Sequence, residues 1–364
     1  MSELYVGLMS GTSLDGIDAA LVDFSNGIHV VHALTADFPQ DLRDRLAAII
    51  DGPQSVSLDM LGETDAWLGE TYAGVVKRLL DEAGMTREAV AAIGCHGQTI
   101  RHSPDLAHPF TWQLGDPNRL AALTGLVTVA DFRRMDMAYG GQGAPLVPAF
   151  HQACFGRDDE VRAVINIGGI SNLTRLGKTV IGYDIGPGNG LMNEWIRERR
   201  GEPFDRDGEW ASSGRISESL LAAFLADPFF SRPPPRSTGR EHFNLAWVKR
   251  HIERYPLDDA DVQATLLALT ATSIAKECRE AEARRVLVCG GGTRNVALMK
   301  ALERELAPLP VESTGQHGLD PDFVEAAAFA WLAQQRLASR PGNLPSVTGA
   351  TQAAPLGSVY LPGV

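Results

Sequence analysis

Apolar residues gather early in the chain in short runs at 4–9, 17–24 and 28–38, each bounded by turn residues, and this spacing predicts three successive strands. Pro39-Gln40-Asp41 then opens a helix running through Ile50. Residues 57–83 change period. Leu58, Leu61, Ala66, Leu68, Tyr72, Val75, Val76, Leu79 and Leu80 recur at helical spacing until Gly84 stops the element. Residues 91–95 and 126–130 read as buried strands, the second running into a loop over 131–136 and the glycine-rich 140–143. After a charged break at Arg157-Asp158-Asp159-Glu160 the opening order returns, with strands at 161–167, 171–176 and 179–184 and a helix at 191–200. Three strands and a helix thus occur twice, each with a glycine- and hydroxyl-rich first turn, which points to an internal duplication of topology. The proline-rich 232–242 reads as a surface loop. Beyond it the pattern predicts a helix at 260–283, a strand at 285–289, a helix at 295–306, a short strand at 310–312 and a helix at 323–337.

The first turn holds Gly11, Thr12, Ser13, Leu14, Asp15, Gly16, Ile17 and Asp18. Glycine lets backbone N–H groups approach an anion, Thr12 and Ser13 add hydroxyl donors, and Asp15 and Asp18 can hold a hydrated divalent cation. That is phosphate chemistry. The same residue types also favour an ordinary hairpin turn, and local composition does not separate the two. The counterpart in the second half, Asn166-Ile167-Gly168-Gly169-Ile170-Ser171-Asn172, offers similar backbone, with Gly168, Gly169 and Asn172 as candidates. A third element ends a strand in Gly290, Gly291 and Gly292 and turns into a helix at Asn295, so that a flat ligand or phosphate can lie on the backbone. Read alone it resembles a dinucleotide fingerprint, with Glu312 placed as the ribose-binding acid. Asn295 replaces the third glycine, however, and the hairpins upstream do not suit a purely parallel sheet. Gly177-Lys178-Thr179 imitates the end of a P-loop, but Asn172 stands where the first glycine is needed, and a hairpin turn is expected there.

Asp184 ends a buried strand ahead of Gly186-Pro187-Gly188-Asn189. It is either a fixed carboxylate that takes a proton from an attacking water or hydroxyl, or a cap for the following helix. No Gly-x-Ser-x-Gly elbow, His-Glu-x-x-His pair or Cys-His nucleophile signature is present, which leaves phosphoryl transfer as the best-supported chemistry.

At 364 residues the chain exceeds what one core usually serves. Two domains, 1–155 and 156–364, are expected, the end of the chain being free to pack back on the first. A net charge of −12 argues against nucleic acid as a partner, and Arg133-Arg134 with Arg197, Arg199 and Arg200 are too few to reverse it. The hydrophobic fraction of 44% is that of a soluble globular protein, no run approaches a membrane span, and residues 1–10 lack the features of a signal peptide. No membrane partner and a cytoplasmic location are therefore expected. Cys95, Cys154, Cys278 and Cys289 are widely spaced in apolar stretches, as neither a zinc site nor a disulfide framework would have them. His96 and His102 lack a carboxylate or thiolate at metal-ligand spacing.

Taken together, the motifs resemble those of the anhydro-N-acetylmuramic acid kinase family, in the actin, sugar kinase and heat-shock-protein-like ATPase superfamily. The likeness spans essentially the whole chain. It rests on residues 7–18, Gly94-Cys95-His96-Gly97-Gln98-Thr99-Ile100-Arg101-His102, Gln113-Leu114-Gly115-Asp116-Pro117, Val129-Ala130-Asp131-Phe132-Arg133-Arg134 and Gly140-Gly141-Gln142-Gly143-Ala144-Pro145-Leu146-Val147-Pro148. It continues through residues 166–172, 184–189, Arg236-Ser237-Thr238-Gly239-Arg240-Glu241, 290–295 and Glu325-Ala326-Ala327-Ala328-Phe329-Ala330-Trp331-Leu332-Ala333. The resemblance implies an α/β, two-lobed actin-like ATPase (ribonuclease H-like) fold, each lobe a mixed sheet flanked by helices, with the active site in the interlobe cleft. It assigns residues 11–18 to ATP phosphate and Mg2+, the latter through Asp15 and Asp18, the 290–295 turn to the nucleotide side, and Asp184 to the role of base. His96, Gln98, Asp131, Arg133 and Glu325 fall in segments that the family uses near a small anhydro amino sugar. An arginine such as Arg133 suits a substrate with a lactyl carboxylate. The implied reaction phosphorylates the sugar while water opens its 1,6-anhydro bridge, giving N-acetylmuramic acid 6-phosphate; a homodimer is compatible with this reading. Asn193, where members often have Asp, and Thr293-Arg294, in place of a small or aliphatic pair, depart from the pattern. A chaperone-like or sensor ATPase of the same superfamily is the rival reading, and a hydrolase that uses Asp184 without ATP is another.

Overall fold

The computed structural model describes residues 3–52 and 56–363. The chain runs through strands β1 (Leu4–Ser10), β2 (Ile17–Asp23) and β3 (His29–Ala36) into helices α1 (Gln40–Asp51) and α2 (Leu58–Ala83). Strands β4 (Val90–Ser103) and β5 (Phe110–Leu114), helix α3 (Pro117–Thr124), strand β6 (Thr128–Ala130) and helices α4 (Arg134–Ala138) and α5 (Val147–Phe155) follow. The order then restarts with β7 (Arg162–Ile167), β8 (Ile170–Leu176), β9 (Ile181–Pro187) and α6 (Gly190–Arg200). Helices α7 (Glu209–Ser213), α8 (Glu218–Leu225), α9 (Leu245–Ile252) and α10 (Asp259–Glu280) lead to β10 (Arg285–Cys289), α11 (Val296–Leu306), β11 (Val311–Ser313), α12 (Val324–Leu337), α13 (Pro345–Thr348) and β12 (Ser358–Tyr360).

Two compact units result, one of Met1–Cys154 with Phe323–Val364 and the other of Phe155–Asp322. Residues 323–364 group with the first unit, and the 156–364 span read from the sequence leaves that end free to pack back on the first. The reason is the packing of α12 on the first sheet. Gly7 on β1 and Gly94 on β4 are lateral neighbours. A Cβ on Gly7 would stand 1.8 Å from the carbonyl oxygen of Ala326, and one on Gly94 2.0 Å from that of Phe329. Only glycine lets the helix backbone lie directly on the strands, and the alanines at 326, 327, 328, 330 and 333, all buried, keep the helix face equally thin. The α12 helix thereby carries Glu325 into the first unit.

The sheet of unit 1 has the order β12-β6-β4-β1-β2-β3, with β5 pairing β4. Strands β1 and β2 are antiparallel, as are β2 and β3, while β1 and β4 run parallel, as do β4 and β6. Unit 2 has the order β11-β10-β7-β8-β9, again with two antiparallel hairpins followed by parallel neighbours. Strand for strand, β6-β4-β1-β2-β3 matches β11-β10-β7-β8-β9, and this is the duplication seen in the sequence pattern. Each sheet has its own core: Leu8, Leu21, Leu42, Leu46 and Tyr72 in unit 1, and Ile165, Trp195, Phe224, Phe229 and Leu266 in unit 2. Burial of each such side chain contributes about 1.5–3 kcal/mol.

Capping explains where α2 begins and ends. The Ser57 side chain accepts from the Met60 N–H, and Gly84, at φ 64°, turns its N–H back to Leu80 and Asp81. Other elements were obscured in the sequence. Strand β4 continues eight residues past Cys95, because His96-Gly97-Gln98 breaks the apolar run while keeping the strand's hydrogen bonds. Strand β5 and helices α3 and α5 do not stand out by periodicity, although Asp116-Pro117 is a regular helix start, and residues 134–138 form a short helix inside the expected loop. Among the described residues no helix is long and apolar enough to cross a membrane.

Candidate functional site

In unit 1 the turn between β1 and β2 is closed by the Leu14 N–H donating to the Gly11 carbonyl at 3.1 Å. Leu14, at φ 56°, and Ile17 bury their side chains in the core, so only their backbone can meet a ligand. Thr12, Ser13 and Asp15 are exposed. Asp18 is half-buried on β2, where the Thr35 hydroxyl donates to its Oδ1 at 2.6 Å. Gln98, fully buried, donates from Nε2 to the Gly11 carbonyl at 3.2 Å, which ties β4 to the turn, and its Oε1 is left without a protein partner. Among the described residues no group of three or more His, Cys, Asp or Glu side chains is arranged as a metal cage.

A second cluster in unit 1 surrounds Arg133. His96 is buried against the Phe329 ring, with centroids 4.7 Å apart, and its Nε2 accepts from Arg133 Nε at 3.1 Å and Nη2 at 2.8 Å. An acceptor nitrogen facing a guanidinium must be unprotonated, so the imidazole is neutral with its hydrogen on Nδ1, a buried atom without a protein partner. Burial, and after it the Arg133 charge, hold the His96 pKa well below its ordinary range. Burial also pushes the Arg133 guanidinium down to about 10, against the pull of Glu325. Glu325 itself is raised by burial and by Asp18, with Arg133 opposing.

Backbone and side chains fix Arg133 from behind. Its Nη1 donates to the Gly143 carbonyl at 2.8 Å, and the Gly143 N–H donates to Asp136 Oδ2 at 2.8 Å. Asp136 is fully buried, and its Oδ1 accepts from Asn343 Nδ2 and the Thr348 hydroxyl, each at 2.7 Å. Asp131, at φ 61°, has its carboxyl raised by burial and lies 3.5 Å from Arg134. His96 and Asp131 share a cavity of about 210 Å³ with Trp112, Gln113, Arg134 and Tyr360, whereas Gln98, Arg133 and Glu325 do not line it.

In unit 2 the register places Asn166, Asn172 and Asp184 side by side across β7, β8 and β9, as a polar row on one face. The 186–189 loop is docked on the first turn. The Gly168 carbonyl accepts from Asn189 N, and the Gly169 carbonyl from Gly188 N and Gly190 N. Asp184 does not cap the following helix, whose N-cap is Asn189. Its Oδ2 instead accepts from the Thr238 N–H at 3.0 Å, while Arg236 Nε donates to its backbone carbonyl at 3.1 Å. Burial raises the carboxyl to about 6, with the Thr238 N–H and Arg236 opposing and Glu241 adding to the rise. The proline-rich 232–242 segment therefore reaches the carboxylate.

The remaining candidates serve the backbone. Gly290 sits at φ 82°, and a Cβ there would stand 2.3 Å from Asn166 Oδ1. Gly292 is buried and Gly291 exposed. The Asn295 side chain accepts from Leu298 N as the N-cap of α11, so its carboxamide oxygen is already engaged. Glu312 is paired with Arg285 and with His317 at 2.6 Å, which removes it as a ribose-binding acid. Gly177-Lys178-Thr179 lies in the turn between the antiparallel β8 and β9. Arg236, Thr238 and Asp136 were not named as site residues in the sequence reading, nor were Glu277, Asn343 and Thr348. The signal that existed was the Arg236–Glu241 motif itself, and a glutamate, Glu277, among the residues that α10 buries.

The family model described as Anhydro-N-acetylmuramic acid kinase matches residues 3–362. The chain is 52% identical to the anhydro-N-acetylmuramic acid kinase of Xanthomonas campestris pv. campestris, covering 99% of this chain and 97% of that protein. It is 50% identical to the protein of that name from Pasteurella multocida, covering 98% and 96%. Among solved structures, it is similar to component A of the (R)-2-hydroxyglutaryl-CoA dehydratase of Acidaminococcus fermentans, with a TM-score of 0.50, 12% identity, and coverage of 93% of this chain and all of that one. That likeness concerns the fold alone, which is α/β with a mixed, helix-flanked sheet in each unit.

Proposed function

The chain belongs to the anhydro-N-acetylmuramic acid kinase family, and on that premise we propose how its own residues divide the reaction. The enzyme is a sugar kinase. It phosphorylates 1,6-anhydro-N-acetylmuramic acid at the expense of ATP while water opens the anhydro ring, yielding N-acetylmuramic acid 6-phosphate and ADP in the recycling of peptidoglycan sugars. Asp184 is the general base that takes the proton from the attacking water. The observation that carries this is its environment: a carboxyl raised to about 6 is largely ionised at neutral pH yet basic enough to accept a proton.

Arg133 pairs the lactyl carboxylate of the sugar, and the His96 Nδ1–H and Gln98 Oε1 offer it a donor and an acceptor. Asp131 and Glu325 complete the sugar side. Residues 11–18, with Gly168, Gly169 and Asn172, give backbone N–H groups and hydroxyls to the phosphates of ATP, and Gly290, Gly291, Gly292 and Asn295 shape the nucleotide side. Asp15, exposed, and Asp18, with one oxygen engaged, suit a Mg2+ ion that keeps its waters and takes phosphate ligands. When bound, that ion supplies charge neutralisation at the phosphates. The cytoplasm, where ATP is available, is the location that fits this reading.

The test is mass spectrometry of a reaction with ATP, Mg2+ and a panel of anhydro sugars in heavy-oxygen water. Phosphate gain and one heavy oxygen in the same product molecule are expected. Ring opening without ATP would replace this reading with the simple hydrolase, and ATP turnover without sugar phosphate would favour a chaperone-like or sensor ATPase.

A further inference from the structure

We propose that the ion pair of Arg236 and Glu277 is a positioning device for Asp184, which makes the 236–241 segment part of the catalytic apparatus of unit 2. The inference rests on the reading of Asp184 as the base. Arg236 Nη2 lies 2.7 Å from Glu277 Oε1, with side-chain exposures of 5% and 2%, so the pair is sealed from solvent. The guanidinium also stacks over Tyr183 at 5.4 Å and Phe229 at 5.1 Å, and the Tyr183 hydroxyl donates to Glu277 Oε2 at 3.0 Å. Three contacts thus hold one arginine in one orientation, and the Tyr183 hydroxyl fixes its carboxylate partner. From that orientation its Nε reaches the Asp184 carbonyl, its own carbonyl accepts the Asp184 N–H at 3.0 Å, and two residues on the Thr238 N–H meets the carboxylate.

Such a sealed pair is a weak source of net stability, because desolvating two charges offsets most of their attraction. Its placement under a carboxylate has a different consequence. The charged groups that face Asp184 are Arg236, which favours its ionised form, and Glu241, which opposes it; the neutral Asn172 flanks it on β8, and Glu277 on α10 acts on it through Arg236. Glu277 anchors the guanidinium and at the same time moderates its field, so the two members of the pair act on Asp184 with opposite sign.

The experiment is the pH profile of kcat/KM for 1,6-anhydro-N-acetylmuramic acid at saturating ATP and Mg2+, in wild type, Arg236→Gln, Arg236→Lys, Glu277→Gln and Asp184→Asn. Differences between variants are read, so the ionisation of ATP itself cancels. Arg236→Gln removes the favourable charge and should move the acid limb up by about one pH unit. Arg236→Lys should bring it back towards wild type. Glu277→Gln leaves the arginine unmoderated and should move the limb down. A pair that merely supports the fold would lower activity at all pH values alike, and limbs that stay in place or move together in both Gln variants overturn the proposal. Should Arg236→Gln not fold, Glu277→Gln and Arg236→Lys decide by the same signs. Asp184→Asn separates the two levels of argument. If it keeps near-normal turnover, the reading of the base fails; if it loses turnover while the limbs of the pair variants do not move, only the present inference fails.

Discussion

Arg133 and Arg236 are both held inside their own unit, and they are held in opposite ways. Arg236 has its charge cancelled by Glu277 at 2.7 Å. Arg133 is given only neutral acceptors, the imidazole of His96 and the carbonyl of Gly143, and among the described residues no carboxylate stands within ion-pair distance of it. A charge that is already neutralised by a rigid partner belongs to the scaffold and acts by its field on what lies beside it. One supplied only with neutral acceptors keeps most of its attraction for an anion brought from outside. The contrast matches the proposed division of the reaction, in which the paired arginine serves a base and the unpaired one a substrate carboxylate.

The sharpest way to break this contrast is to remove the proposed base. Asp184→Asn keeps the shape and the acceptor for the Thr238 N–H but cannot take a proton. A fall in kcat of at least about 10²-fold, with KM for the sugar little changed, is expected. Steady-state kinetics on a variant with an unaltered circular dichroism spectrum checks it; near-wild-type turnover would return Asp184 to a structural role.

Next in size is the unpaired arginine. A hydrogen bond to a charged group contributes about 1.5–3 kcal/mol, so Arg133→Ala should lower kcat/KM for the lactyl-bearing sugar by roughly 10- to 100-fold. The anhydro sugar without that group, 1,6-anhydro-N-acetylglucosamine, should be a poor substrate for the wild type and lose much less, so the gap between the two narrows. Equal efficiency on both sugars in the wild type would mean that the carboxylate is not read.

How these two arginines looked in the sequence shows what was legible there. The duplicated strand order, α2 and the 285–306 strand and helix were readable because apolar period and capping residues act locally. Arg133 was visible as a candidate because its neighbours match a long family motif. Arg236 also stood in a matching motif but was given no role and was read as part of a surface loop, since Pro233-Pro234-Pro235 ahead of it and charged residues after it look like solvated chain. Its burial depends on Glu277 and Tyr183, which lie 41 and 53 residues away, so the residues around it do not show it. Asp136 escaped for the same reason, its partners Asn343 and Thr348 lying 207 and 212 residues on.

Asp136 offers a subtler cut on the Arg133 side. In Asp136→Asn the carboxamide can accept at one oxygen only, and its NH2 faces the donors that the carboxylate satisfied. A loss of about 1–3 kcal/mol in stability is expected. Because the Gly143 N–H then loses its anchor and with it the placement of the carbonyl that holds Arg133, KM for the sugar should rise several-fold while kcat and the position of the acid limb stay put. Calorimetry and sugar-dependent kinetics test it, and a moved acid limb with unchanged KM would assign Asp136 to the base instead.

The smallest effect concerns the cost of keeping Asp184 ready. Its carboxyl is raised from 3.8 to about 6 in the folded protein, chiefly by burial. Between those values the folded state holds a proton that the unfolded chain has released, so the contribution of Asp184 to stability falls as pH rises through this window and levels off above about 6. At neutral pH the ionised carboxylate is therefore a burden, which Asn does not carry. The Thr238 N–H can still bond the amide oxygen, and the value of about 6 already includes the opposing pull of Arg236. A net stabilisation on the order of 1–2 kcal/mol by Asp184→Asn remains at pH 7.5, shrinking towards zero near pH 4. Thermal melts of wild type and variant at both pH values measure the difference with all other titrations cancelled. A variant that melts below wild type at pH 7.5, or by a margin that does not change with pH, would show that burial does not raise this carboxyl, and the paired and unpaired arginines would lose the functional distinction drawn between them.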